Sequence, residues 1–418
     1  MDIIIKKPPT GGTIRAVGSK SIAERLILAW ALSRTECGVT TYLRSDDVAA
    51  MSECAREIFS AVFNKKTEIE RPLNVRESGA TLRFIMPVVV ALGLRAEIIM
   101  EGRLPERPLD PLIEQLELHG IIFDRTEPDR ICIGGQLTGG IFEIPGDQSS
   151  QFVSGLLMAL PLIADNSEVR VTGELQSRPY VDMTLDVLKK CGIMIFEDEP
   201  GNFYIPGCQE YRLEGEHVVE GDWSLAAFWL VLGACLKDDE SITVSGLDPD
   251  SVQGDKAIID VLKEMGADVN CKDDRVTVYG GNRLNGIMVD CRDIPDLVPP
   301  IVVAACIAEG KTTILNAERL RFKESDRIRS IISVLRELGV LVDERADGFE
   351  IFGGQPLKGG RVPAFRDHRI VMMAACLRGL CPEGPEGDII IEGAEAVNKS
   401  YPEFFEDHRS LGGETEES

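Results

Sequence analysis

Apolar and polar positions follow one pattern in six segments of the chain. Each segment has a turn of Gly, Ser or Asp, then a run of small and apolar residues, and then a short strand-like stretch after a second turn. The pattern recurs about every 60 to 75 residues, which is longer than the repeats of most solenoid proteins and therefore indicates a repeated domain element. The six segments begin near Gly18, Ser78, Ser149, Gly221, Pro295 and Asp367.

The apolar run of each segment predicts an interior helix, because its hydrophobic residues cover nearly every side. A strand follows, and then a second helix whose apolar residues recur at three- and four-residue spacing, as Ile328, Ile331 and Leu335 do. This second helix is amphipathic and belongs on the outside of its unit. A pair of strands closes most units, for example 267–271 with 275–279. The clearest interior helices span 151–162, 225–236, 298–307 and 370–377, and strands are predicted at 168–172, 241–244, 312–315 and 388–391.

The two ends of the chain indicate how the units are grouped. The sixth unit runs out after its second helix, at 402–409, whereas the chain begins with a strand at 3–6 that has no unit of its own. If that strand completes the last unit, one domain consists of residues 1–18 and 222–418, and residues 19–221 form an inserted domain. The two crossings near 18–20 and 220–222 would then act as a hinge. The acidic end, 414–418, is predicted to be a frayed tail.

Composition excludes several classes of partner. A formal net charge of −24 argues against nucleic-acid binding, which needs an excess of Lys and Arg. No apolar stretch reaches the roughly 18 to 20 residues that span a bilayer, so no membrane is expected. The first residues lack the features of a signal peptide, which favours the cytoplasm. The 11 cysteines show no C-x-x-C spacing and are expected to be buried thiols, and with only 4 histidines no metal site is expected.

Polar clusters at the predicted helix starts are candidate anion sites. A helix N-terminus carries about half a positive charge and several free N–H groups, which attract phosphate and carboxylate. Each cluster alone is explained equally well as an ordinary helix cap. The occurrence of several such clusters together is what favours an anion-binding site. The clusters are Gly18-Ser19-Lys20-Ser21 with Arg25, Ser78-Gly79-Ala80 with Arg83, Ser149-Ser150-Gln151, Gly221-Asp222-Trp223-Ser224, Pro295-Asp296 and Asp367-His368-Arg369.

Basic residues recur on the turns before the second helices. In an acidic protein this placement favours anion binding, although salt-bridged helix starts would show it as well. Lys20, Asp296 and Glu324 are candidate acid–base groups, because neighbouring cations or a helix end would shift their pKa; helix capping or surface pairing is the alternative for each. The basic residues are Arg103, Arg107, Arg178, Arg321, Lys323, Arg327 and Lys399.

Taken in order, these clusters resemble the motifs of the enolpyruvyl transferases, and those of the shikimate branch most closely. The resemblance spans the whole chain, and ten ordered motifs are far more specific than any one of them. Glu24 stands where Asn is usual, Glu77 and Ala80 replace Asn and Thr, and Arg319 stands where an Asn often contacts the acceptor. The motifs lie at 18–25, 77–83, 103–108, 149–152, 177–180, 219–222, 294–297, 323–327, 367–369 and 399–402.

The resemblance implies a fold, a reaction and a set of site residues. The fold would be a two-domain inside-out α/β barrel with three βαβαββ units per domain, helices inside and sheets outside. The enzyme would transfer the enolpyruvyl group of phosphoenolpyruvate to the 5-hydroxyl of shikimate 3-phosphate through a tetrahedral ketal, as a monomer and without a cofactor. Asp296 would accept the hydroxyl proton and Glu324 would protonate the methylene carbon, with Lys20 as the third catalytic residue. Shikimate 3-phosphate would be bound by Lys20, Ser21, Arg25, Ser149, Ser150, Gln151, Ser177, Asp296 and Lys323. Phosphoenolpyruvate would be bound by Lys20, Gly79, Arg107, Gln151, Arg327, Arg369 and Lys399.

Two other functions are compatible with the same pattern. The other enolpyruvyl transferases act on a UDP-sugar, but they usually carry Lys-Asn where this chain has Lys20-Ser21, and a catalytic Cys on a loop that corresponds to 102–111, where this chain has none. The second alternative is a non-catalytic anion-binding protein on the same fold. The presence of Lys20, Asp296, Glu324 and Lys399 argues against it.

Overall fold

The computed structural model describes residues 1–33 and 35–418 and divides the chain into two compact units. Unit 1 consists of Met1–Ser19 and Glu220–Ser418, and unit 2 consists of Lys20–Val219. Both units mix helices with small sheets.

The helices and strands follow one another along the whole chain. The strands are β1 (Asp2–Lys7), β2 (Gly12–Arg15), β3 (Cys37–Thr40), β4 (Leu73–Arg76), β5 (Ala96–Met100), β6 (Ile121–Asp124), β7 (Arg130–Gly135), β8 (Gly140–Pro145), β9 (Ser167–Thr172), β10 (Phe196–Glu199), β11 (Asn202–Ile205), β12 (Gly215–Val218), β13 (Ser241–Ser245), β14 (Asp268–Lys272), β15 (Arg275–Tyr279), β16 (Met288–Asp290), β17 (Lys311–Leu315), β18 (Leu341–Glu344), β19 (Phe349–Phe352), β20 (Gly360–Pro363), β21 (Ile389–Glu392) and β22 (Glu414–Glu417). The α-helices are α1 (Lys20–Leu32), α2 (Asp46–Phe63), α3 (Gly79–Ala91), α4 (Asp110–Leu118), α5 (Ser150–Ala159), α6 (Arg178–Lys190), α7 (Trp223–Ala234), α8 (Ile258–Met265), α9 (Val298–Ile307), α10 (Arg327–Glu337), α11 (His368–Leu377) and α12 (Phe404–Ser410).

Five sheets in the described part of the chain share one topology. In each, two parallel strands are extended by an antiparallel pair of strands. An interior helix joins the two parallel strands in four of these sheets, whereas the whole of unit 2 and then α7 separate β2 from β13. The five sheets have the orders β4-β5-β7-β6, β8-β9-β11-β10, β2-β13-β15-β14, β16-β17-β19-β18 and β20-β21-β1-β22. A sixth, smaller sheet in unit 2 pairs β3 with β12 in parallel.

The N-terminal strand completes the last repeat of unit 1, as predicted. β1 lies between β21 and β22 and runs antiparallel to both. The prediction for the acidic end was wrong, because 414–417 form β22 instead of a frayed tail. Lys6 and Lys7 on β1 form ion pairs with Glu416 and Glu414, so the acidic side chains face cations across the strand pair. The hydrophobicity pattern does not indicate this edge strand, because its residues are mostly glutamates.

The first helix of each later repeat is interior, as its composition predicts. Every residue of α7 and of α11 is buried, and α9 is buried except at Ile307. Hydrophobic burial stabilises such helices by about 1.5 to 3 kcal/mol for each large apolar side chain. The second helices are amphipathic, and α10 buries Ile328, Ile331 and Leu335 on one face. Because these helices are otherwise apolar, the polar residues at their starts are unusual.

The cysteines only partly meet the expectation of buried thiols. All 11 thiols are free, but Cys132, Cys208 and Cys271 are exposed, so the expectation of buried thiols was wrong for these three. Cys132 and Cys271 lie on exposed positions of β7 and β14.

The length and hydropathy of the helices bear on the expectation that no membrane is involved. Within residues 1–33 and 35–418, none of the helices combines the length and the apolar character that a bilayer span requires.

Candidate active site

Four helix starts meet in unit 1. Asp296 lies in a short 3-10 turn just before α9, Arg327 begins α10, Asp367 caps α11, and Ser224 lies in the first turn of α7. The Arg369 guanidinium connects three of these starts, because it donates to the Asp296 carbonyl, to Asp296 Oδ2 and to Ser224 Oγ, each at 3.0 Å. Within this unit, the helix starts that carry Ser224, Asp296 and Arg369 are therefore in direct contact.

Three carboxylates, of which Asp367 is buried and Asp296 and Glu324 are partly buried, surround Arg327. We call Asp296, Glu324, Asp367 and Arg327 the Arg327 cluster. Arg327 Nη1 donates to Asp296 Oδ1 at 3.1 Å, and Nη2 donates to Glu324 Oε2 at 2.8 Å. Asp367 accepts hydrogen bonds from Arg327 Nε at 2.9 Å and from Arg327 Nη2 at 3.2 Å. The Arg327 side chain is only 1% exposed and Asp367 is fully buried. One guanidinium thus holds the two candidate acid–base groups, and Asp367 holds the guanidinium.

Burial and neighbouring charges shift the pKa values of Asp296, Lys323 and Arg327. Burial raises the pKa of Asp296, but the nearby Arg369, Lys323 and Arg327 charges outweigh burial and hold that pKa well below its ordinary value. Burial lowers the pKa of Lys323 to about 8, although Asp296 opposes the shift from 3.7 Å away. Burial also lowers the pKa of Arg327, but Asp367, Glu324 and Asp296 together raise it above the ordinary value. Asp296 is therefore ionised, and it is a weak base while its cationic neighbours remain uncompensated.

The remaining predicted residue of unit 1 is also buried. Lys399 ends a 3-10 turn (Ala394–Lys399) that packs against α11, and it is 7% exposed. Burial of a lysine is uncommon unless an anion accompanies it. Lys323 is less deeply buried than Lys399, with 23% of its side chain exposed, so that most of the side chain is still shielded from water.

In unit 2, two arginines and one lysine lie at helix starts. Lys20 begins α1, and its ammonium pairs with Asp47 at 2.8 Å. Arg83 donates from Nη1 to the Gly79 carbonyl at 3.1 Å and to Gln151 Oε1 at 3.3 Å, which connects α3 to the start of α5. A Cβ on Gly79 would lie 2.7 Å from Nη1 of Arg107, so the small residue lets both guanidinium groups approach the first turn of α3.

The predicted phosphate-binding serines lie at helix starts. Ser149 caps α5, with its Oγ accepting the Gln151 N–H at 3.3 Å, and Ser150 is buried beside it. Ser177 precedes α6, is 1% exposed and has a left-handed backbone with φ of 56°. Such a conformation costs free energy in a non-glycine residue, so the surrounding structure must impose it.

Arg25 occupies a more interior position than its predicted role suggests. Its three nitrogens donate to Thr184 Oγ1 at 2.7 Å, to the Ser21 carbonyl at 2.7 Å and to the Tyr180 carbonyl at 2.9 Å. The side chain packs over Phe84, and burial lowers its pKa to about 10. Arg25 therefore ties α1 to α6, with Ser21 in the same turn.

Three of the basic residues singled out in the sequence are surface ion pairs. Arg103 pairs with Glu106. Arg178 pairs with Asp182 and Glu197, and Arg321 pairs with Asp326 and Glu344, in partly exposed positions. The alternative of a salt-bridged helix start therefore describes these three.

Sequence reasoning missed the roles of several acidic and hydroxyl residues. The sequence pattern places Asp367 and Ser224 in helix-start clusters but does not predict that Asp367 pairs with Arg327 or that Ser224 accepts from Arg369. It gives no indication of the contact between Asp47 and Lys20. Asp367 and Asp47 are carboxylates near a helix N-terminus, a signal that ordinary caps share, so only the tertiary contacts distinguish them. Among the described residues, no three His, Cys, Asp or Glu side chains are grouped as metal ligands would be.

Comparison with known proteins identifies the family. The model of the EPSP synthase family, whose members are described as 3-phosphoshikimate 1-carboxyvinyltransferases, matches residues 5–408. The chain belongs to the EPSP synthase family. The 3-phosphoshikimate 1-carboxyvinyltransferase of Clostridium kluyveri is 39% identical over 97% of this chain and 96% of its own length. The enzyme of the same name from Methanocaldococcus jannaschii is 36% identical over 99% of both chains.

A solved structure agrees with the fold. EPSP synthase from Acinetobacter baumannii superposes with a TM-score of 0.80 over all of both chains, at 24% identity. The prediction of an enolpyruvyl transferase of the shikimate branch is confirmed by the EPSP synthase family model and by these relatives. The protein is an enzyme of enolpyruvyl transfer, and the UDP-sugar and non-catalytic alternatives are set aside.

Proposed function

We propose that the enzyme forms 5-enolpyruvylshikimate 3-phosphate and phosphate, with Asp296, Glu324 and Lys20 as its catalytic residues. The observation that carries this assignment is the Arg327 cluster, in which one buried guanidinium holds the carboxylates of Asp296 and Glu324 on separate nitrogens. Addition to phosphoenolpyruvate needs a base for the attacking hydroxyl and an acid for the methylene carbon. Two carboxylates in fixed positions meet both needs.

The charge around Asp296 supports its role as the base. In the unliganded protein, Arg369, Lys323 and Arg327 depress its pKa, which weakens it as a base. Substrate phosphate and carboxylate groups would neutralise these cations and so raise the basicity of Asp296 when both substrates are bound. Asp296 then accepts the proton of the 5-hydroxyl as its oxygen bonds to the central carbon of phosphoenolpyruvate, and Glu324 gives a proton to the methylene carbon. Elimination removes a proton from the new methyl group and expels phosphate, which restores the double bond.

Phosphoenolpyruvate carries a phosphate and a carboxylate, and the proposed ligands supply several cations. Arg327, Arg369 and Lys399 of unit 1 are each at most 7% exposed, so their charges act in a poorly solvated environment. Guanidinium groups suit both anions because they donate two parallel hydrogen bonds. The proposed ligands of unit 2 are Lys20, Gly79, Arg107 and Gln151.

Shikimate 3-phosphate is proposed to bind at the serine-bearing helix starts of unit 2. Hydroxyl groups and the N–H groups of α5 suit a phosphate, and Ser177 is held in a strained position beside α6. Lys323 and Asp296 of unit 1 would reach the ring hydroxyl at which the reaction occurs. The proposed ligands in unit 2 are Lys20, Ser21, Arg25, Ser149, Ser150, Gln151 and Ser177.

The finer features of the enzyme are also proposals. The repeated sheet topology and the buried first helices support an inside-out α/β barrel, with three βαβαββ units in each of the domains 1–18 with 222–418 and 19–221. We propose that the enzyme acts as a monomer in the cytoplasm, without cofactor or metal. It would bind the two small substrates and no nucleic acid or membrane.

The test is an assay of phosphate release. Purified enzyme should release phosphate from phosphoenolpyruvate when shikimate 3-phosphate is present, and not when a UDP-sugar replaces it. Release with the UDP-sugar and none with shikimate 3-phosphate would refute the assignment of the acceptor.

A further inference from the structure

A buried glutamate lies one turn after Lys20. Glu24 is on α1 and is only 1% exposed. An ionised carboxylate is costly to bury unless cations or hydrogen bonds stabilise it. The family resemblance assigns no role to Glu24, and the proposed proton transfers do not involve it.

The hydrogen bonds of Glu24 connect α1 to the start of α3. The Ser78 hydroxyl donates to Glu24 Oε1 at 2.9 Å. Ser78 in turn caps α3, because its Oγ accepts the Thr81 N–H at 3.2 Å and the Thr81 hydroxyl at 2.9 Å. The Ser78 proton is thus directed at Glu24, and the carboxyl group fixes the turn that carries Gly79 relative to the turn that carries Lys20.

The charged groups that face Glu24 come from two helices. Lys20 and Arg25 lie on α1 and Asp47 lies on α2, while the contact from α3 is the neutral Ser78. Lys20 and Asp47 form an ion pair at 2.8 Å, so the Lys20 charge is shared between Asp47 and Glu24 when both carboxylates are ionised. Burial raises the pKa of Glu24 to about 7, with Lys20 opposing the shift and Asp47 adding to it. The carboxyl group therefore changes charge near neutral pH.

We propose that Glu24 is a positioning residue that holds Lys20 and the start of α3 in one geometry, and that its protonation is coupled to the binding of anionic substrate at Lys20. This inference rests on the proposed role of Lys20 as a ligand of both substrates. A substrate anion at Lys20 disfavours a second negative charge at Glu24, so Glu24 takes up a proton on binding whenever it was ionised beforehand. Binding of phosphoenolpyruvate therefore weakens as pH rises through the pKa of Glu24.

The experiment compares Glu24→Gln with the wild type by the KM for phosphoenolpyruvate between pH 6 and 9, at a concentration of shikimate 3-phosphate well below its own KM, so that Lys20 carries no other anion when phosphoenolpyruvate binds. The amide keeps an acceptor for Ser78 but cannot ionise. The ratio of wild-type KM to variant KM, in which the titration of the substrate cancels, should be constant below pH 7 and rise above it by up to about tenfold per pH unit. The control is Glu70→Gln, which changes an exposed glutamate of unit 2 paired with Lys66 and should follow the wild type at every pH.

Two further variants keep the test decisive. Glu24→Ala removes the acceptor of Ser78 as well, so its kcat/KM should be lower than that of Glu24→Gln at every pH. Asp47→Asn removes a charge that raises the pKa of Glu24, so the pH at which KM begins to rise should be lower than in the wild type, even if the Glu24 variants fail to fold. A constant KM ratio for Glu24→Gln, or an unshifted profile for Asp47→Asn, would overturn the inference while the proposed function stands. Absence of turnover in the wild type would instead refute the proposed function.

Discussion

Arg327 is the residue on which the proposed chemistry of unit 1 depends. Its guanidinium contacts three carboxylates and is almost fully buried, so removing the guanidinium would leave three neighbouring carboxylates without their shared cation. Asp367 satisfies two of its donors, which leaves the others to orient Asp296 and Glu324. Asp367 therefore fixes Arg327, and Arg327 fixes the proposed base Asp296 and the proposed acid Glu324.

Replacing Glu324 should separate binding from proton transfer. Glu324→Gln should bind both substrates but should not exchange solvent deuterium into the methylene group of phosphoenolpyruvate, because the amide cannot donate the required proton. Exchange is measured by mass spectrometry or NMR in deuterium oxide. Wild-type exchange in this variant would mean that another group protonates the carbon, with Lys20 the next candidate.

Lys323 should make the affinity for shikimate 3-phosphate depend on pH. Its folded pKa of about 8 lies below the ordinary 10.5, so the lysine loses its charge, and its attraction for the substrate, as pH rises through about 8. The KM for shikimate 3-phosphate should then rise by up to about tenfold per pH unit, and Lys323→Arg should abolish this rise because arginine stays charged. The exposed Lys358→Arg serves as the control. An identical profile for Lys323→Arg and the wild type would contradict the assignment.

The same pKa shift has a consequence for stability. Between about pH 8 and 10.5 the unfolded chain binds more protons at Lys323 than the folded protein does. The contribution of Lys323 to the free energy of unfolding therefore increases with pH across that window.

At the scale of elements, the interior helices were predictable from sequence, but the acidic edge strand was not. The runs that became α7, α9 and α11 are apolar on all sides, a pattern typical of buried helices. β22 has no such pattern, since its glutamates are placed by the pairing with β1. Likewise, Asp296 and Asp222 are both acidic residues near a helix start, and only tertiary contacts show that the first belongs to the Arg327 cluster whereas the second caps α7.

Removing residues 414–418 should destabilise unit 1, because β1 would lose one of its two neighbouring strands. The lost backbone pairing predicts a decrease of about 2 kcal/mol in the free energy of unfolding, measured by urea denaturation. Lys7→Gln removes an exposed ion pair with Glu414 but keeps the strand, so it should leave the urea midpoint unchanged. If the truncated protein has the wild-type midpoint, the strand contributes nothing to stability.

At the scale of the whole molecule, an acidic chain carries proposed ligands for anionic substrates on both of its units. The chain carries a net charge of −24, yet its proposed ligands include buried cations, namely Arg25 in unit 2 and Arg327, Arg369 and Lys399 in unit 1. Shikimate 3-phosphate has proposed ligands on each unit, and its binding therefore favours the conformation in which both sets contact it.

Solution X-ray scattering should detect this effect. The radius of gyration should decrease when shikimate 3-phosphate is added, since the two units are joined by two chain crossings and each carries proposed ligands. Binding is verified in parallel by calorimetry. A scattering curve that does not change at saturating ligand would rule out a closing motion.

The central claim is that one residue set from unit 2 and one from unit 1 catalyse a single reaction. The most direct measurement is single-turnover release of phosphate from phosphoenolpyruvate and shikimate 3-phosphate by Lys20→Met and by Asp296→Asn. Both variants should retain the circular dichroism of the wild type and should lose at least about a hundredfold in rate, as removal of an acid–base group typically does. Wild-type-like release from either variant, with matching circular dichroism, would contradict the claim.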